Sequence, residues 1–406
     1  MDAFTVGLSW FSLLLLIGII STIVANKIRI PEILLLIIIG LIAGNTLNIR
    51  GILPYNIITG VSLFALIMIV FESSSKFKIG EIKSLSPHAL KLAIVFVIST
   101  LFLLTIFTQL LFAEEILEVK TLLISLIFSS LMVGTDPSIA LSALKESKNR
   151  LIEILKIESI INTPLTVLIP VLLLNFYLGK GEVASFAVTF LQQIMTGIGA
   201  GLILGYIIFR LFNKIKIEGG SSLLIIGLVL GTYTLTEQIG GSGILAITTF
   251  GILYGYSKFR EKITIQKFNT LFTEFLTILV FILIGMVIKI PLTGSFLIKS
   301  LILFAIYLLV RHFAVNITFR KSNLTNKEKI FMSLNVPKGI ATAIVIFTIA
   351  SYKNPSLEGI QSLAFIFLLY SIILSSVVSR FGSYFLRLGE SGKTTIKKLK
   401  KRPISS

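Results

Sequence analysis

Apolar residues fill the chain in blocks of the size a bilayer-crossing helix needs, about 17 to 25 residues, separated by short polar or charged stretches. The pattern predicts about thirteen spans, over residues 4–25, 31–49, 56–75, 87–113, 119–145, 150–177, 184–213, 220–238, 241–256, 268–290, 297–319, 328–352 and 358–386. That is an all-α polytopic membrane protein: one transmembrane domain over 1–390 and a basic tail over 391–406. Two blocks are interrupted near their middle. The fifth breaks at Thr135-Asp136-Pro137 and the twelfth at Val336-Pro337-Lys338-Gly339, each setting a proline beside a charge. Proline removes a helical N–H and clashes with the preceding turn, and an Asp at the bilayer centre costs roughly 2.5 to 3.5 kcal/mol. Irregular backbone at that depth is tolerated only where it lines protein or water, so the first break, with the helix that follows it, predicts a site for small ions, while compensation of helix ends is the other role open to Asp136 and Lys338. The breaks lie an odd number of spans apart, so corresponding helices run in opposite directions. An inverted repeat follows, with spans one to six matching eight to thirteen and the seventh as a link. Crossing of the two broken helices would set Asp136 near positive N-terminal helix ends and Lys338 near negative C-terminal ends.

Charge adds the topology. The formal net charge is +18, but the basic residues gather in alternate loops: Lys27 and Arg29, Lys76 to Lys83, Lys145 to Arg150, Lys214 and Lys216, Lys258 to Lys262, and Arg320 to Lys329. The intervening loops hold Arg50, the acidic Glu114, Glu115 and Glu118, Lys180 with Glu182, and Lys353 with Glu358. By the positive-inside rule the N-terminus lies outside and the C-terminus in the cytoplasm, in the cell membrane. A charge spread over loops gives nucleic acid nothing to bind, and the tail lysines suit anionic lipid headgroups. The absence of cysteine excludes thiol chemistry, two histidines argue against a histidine-built metal site, and no nucleophile with a base points to an enzyme. No cofactor is implied.

The sixth span carries the second half of the predicted site. Glu158, Ser159, Asn162, Thr163 and Thr166 are spaced by three and four, which on a helix makes one polar stripe among Ile, Leu and Val. Such a stripe must face protein or water. Arg311, deep in the eleventh span, needs a counter-ion, and Glu158 is the best candidate. His312 reads as a packed residue, and Glu72 with Lys76 as an interfacial pair.

Together these residues resemble the sodium/proton antiporters of the monovalent cation:proton antiporter-1 family, in its archaeal and bacterial thirteen-helix form. The resemblance rests on Arg29-Ile30-Pro31-Glu32-Ile33-Leu34-Leu35 with Gly40 and Gly44, on Thr135-Asp136-Pro137, on Glu158-Ser159 with Asn162, and on Gly241-Ser242-Gly243-Ile244-Leu245-Ala246 with Gly251. Phe281 to Gly285, Arg311 and Pro337-Lys338-Gly339 complete it. The resemblance implies a mobile core (about 87–177 and 297–386) moving against a dimer-forming scaffold (about 1–75 and 220–290), with 184–213 as linker. It implies a homodimer exchanging sodium or lithium for protons by alternating access. Carried over, the Thr135 backbone, Asp136, Glu158, Ser159 and Asn162 surround the sodium ion, Arg311 pairs with Glu158, and Lys338 stabilises the crossing.

Two positions depart from the family pattern. Thr163 stands where an aspartate is expected to exchange sodium for protons, and a threonine offers an oxygen but cannot titrate. Either Glu158 or Asp136 takes that role, with Asp136 favoured if Glu158 is locked to Arg311, or the protein is a carrier of other selectivity, a proton-independent carrier, or a non-transporting sensor. Lys338 stands where arginine is usual, keeping the charge and losing bidentate geometry.

Overall fold

The computed structural model describes residues 3–28, 30–46, 55–76, 79–113, 118–136, 150–179, 183–214, 221–257, 262–287, 290–291, 293–352 and 354–386. Pro137 with the rest of the fifth predicted span, the loop residues Arg29, Arg50, Lys78, Glu114, Glu115, Lys145, Lys148, Lys180, Glu182, Lys216, Lys258, Arg260 and Lys353, and the basic tail lie outside the described residues.

Every regular element among the described residues is helical. In chain order they are α1 (Ala3–Ile28), α2 (Glu32–Thr46), α3 (Tyr55–Ser75), α4 (Ile79–Ser99), a π-helical turn (Thr100–Leu104), α5 (Thr105–Phe112) and α6 (Val119–Leu131). They continue with α7 (Arg150–Tyr177), α8 (Val183–Lys214), α9 (Ser221–Gln238), α10 (Gly243–Tyr256), α11 (Lys262–Val287) and α12 (Gly294–Thr318). The last are α13 (Asn326–Leu334), α14 (Ile340–Ser351), α15 (Pro355–Arg380) and the short α16 (Gly382–Phe385). Among the described residues six helical stretches are long and apolar enough to cross a membrane, one of them running through α4, the π-helical turn and α5, and others are shorter apolar segments such as Val119–Leu131 and Ile340–Ala350. Two helices start earlier than their hydropathy predicts: α4 at Ile79, with Pro87 inside it, and α11 at Lys262. Hydropathy marks the part of a helix suited to lipid, whereas backbone hydrogen bonding continues into the polar residues before it.

Small residues decide where the helices come closest. Gly40 on α2 faces Gly285 on α11 so tightly that a Cβ built on Gly285 would lie 3.0 Å from both the Gly40 Cα and the Leu41 N. Gly44, one turn along, abuts the Met286 backbone in the same way. Packing in lipid relies on such close approach, because apolar side chains gain little by leaving one hydrocarbon for another. On α8, Gly197, Gly201 and Gly205 face α10, while Leu191, Met195, Leu202 and Tyr206 are exposed. Gly285→Val should therefore force α2 and α11 apart and cost at least about 1 to 3 kcal/mol, the usual cost of overpacking. Thermal unfolding in detergent would measure it, and an unchanged transition would show that the contact does not hold the helices together.

A second group of helices, α4 to α7 with α12 to α15, surrounds the two breaks. Helix α7 packs on α4 and α6, α12 on α4 and α13, and α14 on α15, α3 and α7. Aromatic rings fill the space between: Phe367 meets Phe128 edge-on at 5.1 Å and Phe304 at 5.3 Å, and Tyr307 packs against Phe96, Phe304 and Phe367.

Candidate functional site

The later break is fully described. Helix α13 begins with a capping box, the Thr325 hydroxyl accepting from the Glu328 N–H and the Glu328 carboxylate accepting from the Thr325 N–H. It ends at Leu334, and residues 335–339 run without helical structure into α14. The sequence enforces this, since Pro337 has no N–H and biases Val336 toward extended backbone. Gly339 is the N-cap of α14.

The earlier break is described to Asp136. Helix α6 stops at Leu131, and residues 132–136 lead out of it, with Met132, Val133 and Thr135 buried. The ends of a helix leave carbonyls without partners, and here a cation supplies the donors. The Lys338 ammonium donates to the carbonyls of Met132 and Gly134 and to the Tyr307 hydroxyl (2.7 Å). The two breaks also touch directly, the Asp136 N–H donating to the Pro337 carbonyl at 2.8 Å. A side chain at Gly339 would occupy the place of the Asp136 carboxylate, so that carboxylate lies against the N-terminal end of α14. Charge and helix dipole thus agree at both ends: ammonium at a C-terminus, carboxylate at an N-terminus.

Helix α7 brings its polar stripe to the same place. The Ser159 hydroxyl donates to the Thr135 carbonyl at 2.6 Å. The Thr163 and Thr166 hydroxyls donate back to the carbonyls of Ser159 and Asn162 on their own helix. Glu158 and Arg311 are fully buried and paired through two parallel hydrogen bonds, Nη1 to Oε1 and Nη2 to Oε2, the second at 2.7 Å. The Asn162 amide donates to Glu158 Oε1 at 3.2 Å, and the guanidinium lies over the Phe96 ring at 4.5 Å. Both Glu158 oxygens are therefore engaged. Two buried oxygens of the site, Thr135 Oγ1 and Asn162 Oδ1, have no hydrogen-bond partner.

The structure thus brings Thr135, Asp136, Ser159 and Lys338 together where the two segments meet, with Asn162 and Thr163 on the same stretch of α7 and the Glu158–Arg311 pair next to Ser159. His312 hydrogen-bonds Ser333 at 3.1 Å, and Glu72 bonds Lys76 and the Thr270 hydroxyl (2.9 Å), so neither joins the site. The sequence reading passed over Tyr307, Phe96 and the row Ser371, Ser375 and Ser379 on α15, and gave Gly339 no role of its own beyond the second break. The serine row had a signal, a spacing of four within one span; the others are visible only as contacts.

Comparison with known proteins follows the same lines. The model of the transmembrane sodium/hydrogen exchanger family matches residues 12–381. The probable Na(+)/H(+) antiporter 2 of Methanocaldococcus jannaschii is 27% identical over 383 residues, covering 88% of this chain and 88% of that protein. The K(+)/H(+) antiporter NhaP2 of Shewanella oneidensis is 28% identical over 259 residues, covering 62% of this chain and 44% of that protein. The structure of the sodium proton antiporter MjNhaP1 from Methanocaldococcus jannaschii at pH 8 superposes with a TM-score of 0.78 at 20% identity, covering 93% of this chain and 99% of that one. That likeness is one of fold.

Proposed function

The chain belongs to the transmembrane sodium/hydrogen exchanger family, and from that premise we propose that it exchanges sodium or lithium for protons by alternating access, with Asp136 as the exchanging acid. The supporting observation is the pair of partnerless buried oxygens, Thr135 Oγ1, on the residue before Asp136, and Asn162 Oδ1, on the helix whose Ser159 hydroxyl bonds Thr135. Buried oxygens without donors are costly, and a hard monovalent cation satisfies them together with a carboxylate and the Ser159 hydroxyl. Glu158 supports the site from behind, since taking up a proton or an ion would break its pair with Arg311. Coupling then needs no covalent chemistry: a carboxylate that holds either a proton or a cation, and crosses only when occupied, ties the two fluxes together.

In this reading helices α4 to α7 and α12 to α15 form the moving body and α1 to α3 with α9 to α11 the scaffold, in a homodimer with a cytoplasmic C-terminus. A second reading has a specific basis: Thr163 removes a carboxylate from the site, and the curated relatives include potassium/proton antiporters, so potassium is the competing cargo. Proteoliposomes carrying a pH gradient decide between them. Sodium or lithium should collapse the gradient with the native protein, and potassium should not. A protein silent to all three ions that becomes active as Thr163→Asp would sink the assignment for the natural sequence.

A further inference from the structure

The unwound segment of the later break is held from its far side by a row of hydroxyls. Along α15, Ser371, Ser375 and Ser379 recur every four residues, and all three are buried. The Lys338 N–H donates to Ser371 Oγ at 2.9 Å, the Val336 N–H to Ser375 Oγ at 3.1 Å, and the Asn335 side-chain amide to Ser379 Oγ at 3.1 Å. The Ser371 hydroxyl itself donates to the Leu368 carbonyl at 2.8 Å. Ser375 reaches the Leu334 carbonyl at 3.4 Å, the last residue of α13.

The spacing explains the match. Four residues of helix rise about 6 Å, and two residues of extended chain rise about 6.6 Å. A serine every fourth position on α15 is therefore spaced to meet every second N–H of an unwound segment running the other way, as Ser371 and Ser375 do with Lys338 and Val336, and Pro337, between the two bonded positions, has no N–H to place. The backbone donors that a helix would have satisfied internally go instead to this row.

We propose that Ser371 and Ser375 are positioning residues for the cation site: they hold residues 336–338 out of the helix, and so fix the Pro337 carbonyl that receives the Asp136 N–H and the Lys338 side chain that holds the end of α6. The inference rests on Asp136 as the ion-contacting carboxylate. It also ties α15 to the breaks, so that the three move as one body.

The test is cation-triggered collapse of a pH gradient in proteoliposomes, resolved into half-saturating concentration and maximal rate. Beside it stands amide hydrogen exchange of the peptide covering 335–339. With Ser371→Ala/Ser375→Ala, half-saturation should rise about ten-fold or more with the maximal rate within about two-fold, and exchange of the segment should speed up by a similar factor. The single alanine variants should show part of the shift should the pair fail to fold. Ser375→Thr, which keeps the hydroxyl, should restore both readouts, and Ser376→Ala, a partnerless serine on the same helix, should change neither. Native half-saturation in the alanine variants, or equal loss in Ser375→Thr, overturns the proposal. Asp136→Asn separates the two failures: if it shifts transport and the serine variants do not, only the positioning role falls; if it leaves transport native, the site reading falls and this inference with it.

Discussion

Asp136→Asn should abolish cation/proton exchange while leaving the fold intact. The amide has the shape of the carboxylate but can neither bind a proton at physiological pH nor neutralise a bound cation. Its neighbours offer no substitute. Thr163 carries a hydroxyl that donates to its own helix, and Glu158 has both oxygens on Arg311 and Asn162. Loss of a charge worth a few kcal/mol at this depth corresponds to a fall of at least about a hundred-fold. The Asp136 N–H to Pro337 bond is a backbone contact and survives the substitution, so a normal thermal transition should accompany the lost flux. A variant that transports at the native rate would pass the exchanging role to Glu158.

The second large effect concerns stability. Removing either partner of the Glu158–Arg311 pair leaves the other as an uncompensated charge in a fully buried position, a change that typically costs about 3 to 5 kcal/mol. Arg311→Met and Glu158→Gln should each lower the unfolding temperature in detergent sharply. The double variant Glu158→Met/Arg311→Met should regain most of that loss, because neither charge then remains to be desolvated. The Asn162 amide loses its acceptor as well, so recovery should stop short of native. If the double variant is as unstable as the two single losses added together, the pair is not an energetic unit.

How much of this could be read before the structure follows from which constraints are local. A bilayer imposes a length on every crossing segment, so the described helices overlap the predicted apolar blocks, α4 and α11 beginning ahead of theirs. A proline beside a charge inside such a block is costly enough to announce itself, and the described crossing lies at Asp136 and Pro337. The Arg311–Glu158 pairing was legible because a deep guanidinium demands a counter-ion and few acids are available. Serines are a different matter. In a membrane helix a serine usually bonds the carbonyl a turn behind it, as Ser371 does with Leu368, and nothing in its identity says that its lone pair also serves another segment. The contact of Gly339 with Asp136 joins positions 203 apart in sequence numbering, which no local pattern encodes.

The π-helical turn at Thr100–Leu104 gives α4 and α5 different registers. One residue advances a helix by about 100°, so a chain shortened by a single position there would keep a continuous apolar helix and an unaltered hydropathy profile. Yet Phe96, before the turn, lies under the Arg311 guanidinium, and Thr105, Thr108 and Gln109, after it, point into the protein. In the shortened chain only one of these faces could keep its place. A one-residue gap at this point in a comparison of relatives therefore marks a rotated helix, and the residues on its two sides should be matched to different partners.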